Sequence, residues 1–121
     1  MPTLVTFDFE YSNKDISVEF VVRALFVKEE ELPPLYGRDW LFGVNPGAIA
    51  STGGTLEEAI LEMKISLGRV IDENCGPMNT FEEKKLFLEN FYSSCDPETQ
   101  SEWDSLGASG PDLKVVVSKC Q

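Results

Sequence analysis

Two stretches near the start of the chain alternate between apolar and polar positions. Over residues 3–11, Val5, Phe7, Phe9 and Tyr11 are separated by Thr6, Asp8 and Glu10, the period of a half-buried strand. Over residues 16–27, Ile16, Val18, Phe20, Val22, Ala24 and Phe26 make one side, and Ser17, Glu19, Val21, Arg23 and Leu25 the other. Ser12-Asn13-Lys14-Asp15 supplies turn residues between them. The pattern predicts an antiparallel hairpin in which Tyr11 pairs with Ile16, Phe9 with Val18 and Phe7 with Phe20. A one-residue slip would turn one apolar set outward. The outer side of the second strand is apolar near its end, at Val21, Leu25 and Val27. That predicts a cover for it, either another element or a second subunit.

The period changes at Gly53-Gly54-Thr55-Leu56-Glu57-Glu58-Ala59-Ile60. Thr55 and Glu58 form a capping box, with the glutamate expected to reach back to the N-cap amide. Glu57 and Glu58 suit the positive end of the helix dipole. Leu56, Ala59, Ile60, Met63, Leu67, Val70 and Ile71 then recur at helical spacing, with Ile60 and Met63 expected in the core. Lys64 and Arg69 lie off the stripe. Asn74-Cys75-Gly76-Pro77 predicts the stop, with Gly76 as a C-cap, so the helix spans about 56–73.

Between the hairpin and this helix lies an exposed loop, Lys28 to Asp39, marked by Glu29, Glu30, Glu31, Pro33, Pro34 and Gly37. It is longer than most connections. Trp40 to Val44 reads as a short third strand, and Asn45-Pro46-Gly47 as a turn. A second helix is predicted over about 80–91, opened by Thr80 and Glu83. Phe81, Lys85, Leu88 and Tyr92 share one side of it, and Phe87 and Phe91 widen the apolar face. Asp96-Pro97 opens a shorter helix anchored by Trp103 and Leu106. Gly107 to Pro111 reads as a loop and Leu113 to Val117 as a last strand. There is no repeat and no evident boundary, so residues 1–121 are expected to form one α+β domain. An antiparallel sheet carries the central helix on one face, and an extra helical segment occupies about 80–106.

Charge narrows the function classes. There are 21 Asp and Glu against 10 Lys and Arg, a net charge of −11. That opposes nonspecific nucleic-acid binding, which depends on phosphate neutralisation, and suits a basic protein partner. No apolar run is long enough for a membrane span and no secretory signal is seen, so the expected location is cytoplasmic, with no membrane partner. Cys75, Cys95 and Cys120 are widely spaced and there is no histidine. A zinc site is not expected, no cofactor is implied, and reduced thiols fit best. With no histidine base and no activated cysteine, nucleophilic catalysis lacks support.

The order strand, strand, Pro46-Gly47 turn, then Gly53-Gly54-Thr55-Leu56-Glu57-Glu58-Ala59-Ile60 resembles the HicB-like antitoxin family over roughly residues 16–73. Three features depart from the family pattern. The loop is longer and more acidic, the stretch from Gly47 to Thr55 is about a residue longer, and Phe81 to Trp103 is additional. The resemblance implies a non-enzymatic module that masks a small basic RNA-cleaving toxin and forms homo-oligomers. Full antitoxins bind their operator through a C-terminal ribbon-helix-helix or helix-turn-helix segment. None is apparent in this sequence, so DNA binding is not implied.

The candidate partner-binding residues are Glu29, Glu30, Glu31, Tyr36 and Trp40, aromatic anchors beside a polar rim. For Trp40 a plain core position is the competing reading. Two other function classes stay open. One is an oligomeric structural domain with no toxin. The other is a metal-dependent hydrolase using Asp8, Glu10 and Glu19, since the expected register sets Asp8 opposite Glu19 and a hard cation would relieve the like charges.

Overall fold

The structure, a computed structural model, describes residues 2–106 and 114–120. The fold is α+β. In chain order it runs β1 (Thr3–Ser12), β2 (Ile16–Val27), two 3-10 turns (Glu29–Glu31 and Pro34–Tyr36), β3 (Trp40–Asn45), β4 (Ala50–Thr52), α1 (Leu56–Cys75), α2 (Phe81–Ser93), α3 (Pro97–Ser105) and β5 (Val115–Lys119). All strand pairs are antiparallel. β1 lies on one side of β2. On the other side β3 pairs with residues 23–27 and β5 with residues 16–20. The expected loop at 107–111 and the first residue of the expected last strand, Leu113, lie outside the described residues.

The hairpin forms, but its register is two residues from the expected one. Tyr11 pairs with Val18, Phe9 with Phe20 and Phe7 with Val22. A slip of two keeps every side chain on its face, so alternation alone could not distinguish the two registers. The turn distinguishes them. The Asn13 side chain accepts from the Asp15 and Ile16 amides at 2.8 and 3.0 Å, and the Asn13 amide donates to the Ile16 carbonyl at 3.0 Å. Ile16 therefore belongs to the turn closure, and the pairing expected for it passes to Val18.

α1 begins as its capping residues demand. Thr55 Oγ1 accepts from the Glu58 amide at 3.1 Å. The returning Glu58 carboxylate takes the amide of Gly54 at 2.9 Å, one residue before the cap, rather than that of Thr55 itself. The helix runs two residues past its expected end, because Gly76 stays in the right-handed region and donates to the Asp72 carbonyl. Ala59, Met63, Leu67, Gly68 and Ile71 are buried against Val5, Phe9, Val18, Phe20 and Val22 of the sheet. Ile60 is only half-buried and packs on the edge of this core.

On α2, Lys84 rather than Lys85 turns inward, one turn from Leu88 and two from Tyr92. Its ammonium lies 3.3 Å from Asp15. The Thr80 box is also partly different, since Glu83 accepts from the Thr80 hydroxyl instead of a backbone amide.

α3 crosses to the opposite face and covers the outer side of β2 at Leu25, while Val21 and Val27 stay half-buried outside both apolar clusters. Trp103, 1% exposed, joins Leu25 and Val44 in a second apolar cluster, flanked by Leu4, Cys95 and Leu106. At Leu25 the cover is an element of the same chain. Among the described residues no helix is long and apolar enough to cross a membrane.

Candidate functional site

The loop and strand that carry the candidate residues are braced from inside. The Asp39 carboxylate accepts from the Glu29 amide at 2.7 Å and faces the Lys28 ammonium at 3.7 Å. The Asp39 carbonyl accepts from Thr52 Oγ1 at 2.5 Å. Glu29, Glu30 and Glu31 form one 3-10 turn with no buried residue. The second turn, opened by Pro33 and Pro34, ends at Gly37 with φ 69°, the left-handed region that only glycine enters freely. That reversal brings Tyr36 back over β3.

Three aromatic rings result on one surface. Trp40 and Phe42 are two apart on β3, so they share a face, and their rings stack with centroids 6.2 Å apart. Tyr36 meets both edge-on, at 6.0 and 6.3 Å. Trp40 Nε1 donates to the Tyr36 carbonyl at 3.3 Å. Tyr36 is 44% exposed, and Leu35 beside it is 98% exposed. Trp40 is half-buried and absent from both apolar clusters, so the core reading of it does not hold. The structure thus gathers Tyr36 and Trp40 into one patch with the acidic turn next to it in the chain. Sequence reading left out Leu35 and Phe42. The parity of Trp40 and Phe42 was available as a signal for the second, while nothing marked Leu35.

The carboxylates behind the hydrolase reading are arranged differently from expectation. Asp8 pairs with Val21, and Glu10 pairs with Glu19. Among the described residues no group of three or more His, Cys, Asp or Glu is placed to hold a metal ion. Two of the thiols are shifted away from the thiolate. Burial pushes the Cys75 thiol up, opposed by Lys84 and assisted by Asp72. Burial does the same at Cys95, opposed by Arg23. A reactive thiolate needs the opposite shift.

One polar cluster in the interior was not foreseen as a unit. Arg23 is 7% exposed and its guanidinium carbon sits 4.5 Å from the Trp103 ring centre. Its Nη1 donates to Asn45 Oδ1 at 3.2 Å, and Asn45 Nδ2 donates to the Tyr92 carbonyl at 3.2 Å. Arg23 Nε and Trp103 Nε1 have no hydrogen-bond partner among the described residues. This network joins the bulged end of β3 to the junction of α2 and α3, where Gly47 also donates to the Ser94 carbonyl at 2.9 Å.

No family model, no curated protein and no solved structure matches the chain.

Proposed function

We propose that this chain is a non-enzymatic protein-binding module of the HicB-like kind, which masks a small basic RNA-cleaving toxin. The observation that carries the reading is the Tyr36–Trp40–Phe42 ladder, its Tyr36 exposed and its other two rings half-buried, with exposed Leu35 at its side and Glu29–Glu31 adjacent. Clustered aromatic anchors beside a charged rim are the composition of a binding surface. The net charge of −11 selects for a basic partner. The order of hairpin, β3, β4 and α1, with Gly53-Gly54-Thr55 at the helix start, supports the family part of the reading.

The test is co-expression with the product of any adjacent small basic reading frame, followed by affinity capture and an RNA-cleavage assay. Retention of the partner and loss of its cleavage activity are expected, with retention reduced at least about tenfold by Trp40→Ala. Failure to retain any such product would favour the structural-domain reading.

A further inference from the structure

We infer that the open edge of β1 is a second docking surface, which takes an extended segment alternating basic and apolar residues as an added strand. The inference deepens the proposed function and rests on it only for the charge of the partner.

The phase of the hairpin fixes which backbone groups are available. The Asn13 amide bonds the Ile16 carbonyl, and the register continues without a shift to Thr3 and Phe26. Hydrogen-bonded pairs therefore fall on the odd-numbered residues of β1, and the intervening pairs bring side chains closer. The hydroxyls of Ser12 and Ser17, 3.0 Å apart in such a close pair, agree with this phase. The amides and carbonyls of Leu4, Thr6, Asp8 and Glu10 consequently point away from β2. Among the described residues β1 pairs with β2 alone, and none bonds its outer side. An unpaired edge of this length is a template for another strand.

The two sides of that edge define the occupant. On one side lie Asp8 and Glu10, with Glu19 directly opposite Glu10. These two glutamates form a close pair of like charges, and neither is in an ion pair with a described residue. A groove runs along this edge between β1 and α1, bordered by Asp8, Phe9, Glu10 and Tyr11 and, from the helix, by Lys64 and Ile65, with the Phe9 and Tyr11 side chains on the helix side. Ile65 is 47% exposed, and Leu61, one turn earlier, 58%. Successive side chains of an added strand would point to these two sides in turn. Lys or Arg at alternate positions would meet the carboxylates, and Val or Ile between them would cover Ile65 and Leu61. A second copy of this chain fits less well, because pairing β1 with itself brings two sets of Asp8 and Glu10 together on a chain of net charge −11.

The test uses the full chain and a synthetic ten-residue peptide alternating Lys and Val, with a Glu-Val peptide of the same pattern as control. Amide hydrogen exchange is followed by NMR at Leu4, Thr6, Asp8 and Glu10. The Lys-Val peptide should protect all four amides, and the Glu-Val peptide none. Thr6→Pro removes an outward amide where an edge strand tolerates proline, and should weaken peptide binding about tenfold or more. Should Thr6→Pro lower the urea midpoint, the double change Asp8→Lys, Glu10→Lys replaces it and should abolish binding at low salt. Absence of protection, or undiminished binding by these variants, overturns the inference. So does protection that rises with protein concentration alone, which would give the edge to a second copy. Trp40→Ala should leave the peptide result unchanged, so failure here and failure of the aromatic patch are separable.

Discussion

The Tyr92 hydroxyl donates to the carbonyl of Val21 at 2.6 Å. Val21 lies in the gap along β2 where β5 has ended and β3 has not begun, so its outward carbonyl has no strand partner. A side chain from α2 completes the ladder. The same ring packs on Phe20 with centroids 4.8 Å apart, which ties α2 to the sheet at its interrupted edge.

The burial of this phenol sets a pH dependence. Burial holds the Tyr92 phenol above its ordinary value of 10.0, with Arg23 opposing. The hydrogen bond to Asp72, then burial, raises Tyr11 above the same value. Each phenol keeps its proton more firmly in the folded chain than in the unfolded one. The stability this brings is complete below pH 10 and is lost as the pH rises through the folded values. The buried Cys75 thiol, raised from 9.0, begins to contribute somewhat earlier. Urea midpoints should therefore be level up to about pH 9 and fall above it. Tyr92→Phe should cost about 1 kcal/mol at neutral pH, by leaving the Val21 carbonyl unpaired, and should make the alkaline fall shallower. An unaltered alkaline limb in that variant would contradict the assignment.

Trp103 is the anchor of the second apolar cluster and the ring on which Arg23 rests. Trp103→Ala should destabilise by about 3–5 kcal/mol, combining a cavity with an uncovered buried cation. Trp103→Phe keeps an aromatic face and removes an indole N–H that has no partner among the described residues, so it should cost much less, about 1–2 kcal/mol. Urea unfolding distinguishes the two. Equal losses would mean that the indole nitrogen matters despite its lack of a partner.

Gly43 sits where β3 closes over its own turn. A Cβ there would lie 2.2 Å from the Pro46 carbonyl oxygen and 2.8 Å from Ile49 Cγ2. The first neighbour is backbone and cannot swing aside. Gly43→Ala should cost about 2–3 kcal/mol and lower the melting temperature, with the Trp40 end of the strand unaffected in its fluorescence. A neutral change would mean that the turn opens without penalty.

The elements were legible because their signals are local. Alternation marked both long strands, and a threonine with a glutamate three residues on marked α1 and α2. Relationships that depend on where the chain goes afterwards were not legible. The two-residue register difference preserves every face, so hydrophobicity carries no trace of it, and it moved Glu10, not Asp8, opposite Glu19. Lys84 and Lys85 are interchangeable in composition; the helical phase of Leu88 and Tyr92 favours Lys84, and Asp15 across the fold supplies its partner. β4 escaped notice because a three-residue strand shows no period, and Leu35 because an exposed leucine has no pattern at all. The Tyr36 and Trp40 cluster was half-legible: aromatic residues near a loop point to an interface, but only the reversal at Gly37 puts them on one surface.

The acidic turn and the aromatic ladder should act on different steps of association with a basic partner. Glu29, Glu30 and Glu31 lie on the surface, where charge acts over distance and is screened by salt. Replacing all three by glutamine should slow association roughly tenfold at low salt, flatten its salt dependence, and leave dissociation nearly unchanged. Trp40 makes short-range contact and is held by Tyr36 and Phe42. Trp40→Ala should leave association nearly as it was and raise the dissociation rate at least about tenfold, as loss of an anchor does. Both variants must first show urea midpoints within about 1 kcal/mol of the parent, since Trp40 also contributes to packing on β3. Binding kinetics at two salt concentrations then separate the roles. If the glutamine variant associates as fast as the parent at low salt, the turn is not a recognition element. If Trp40→Ala changes stability but not dissociation, the ladder serves the fold alone and the partner must dock elsewhere, with the β1 edge the next place to look.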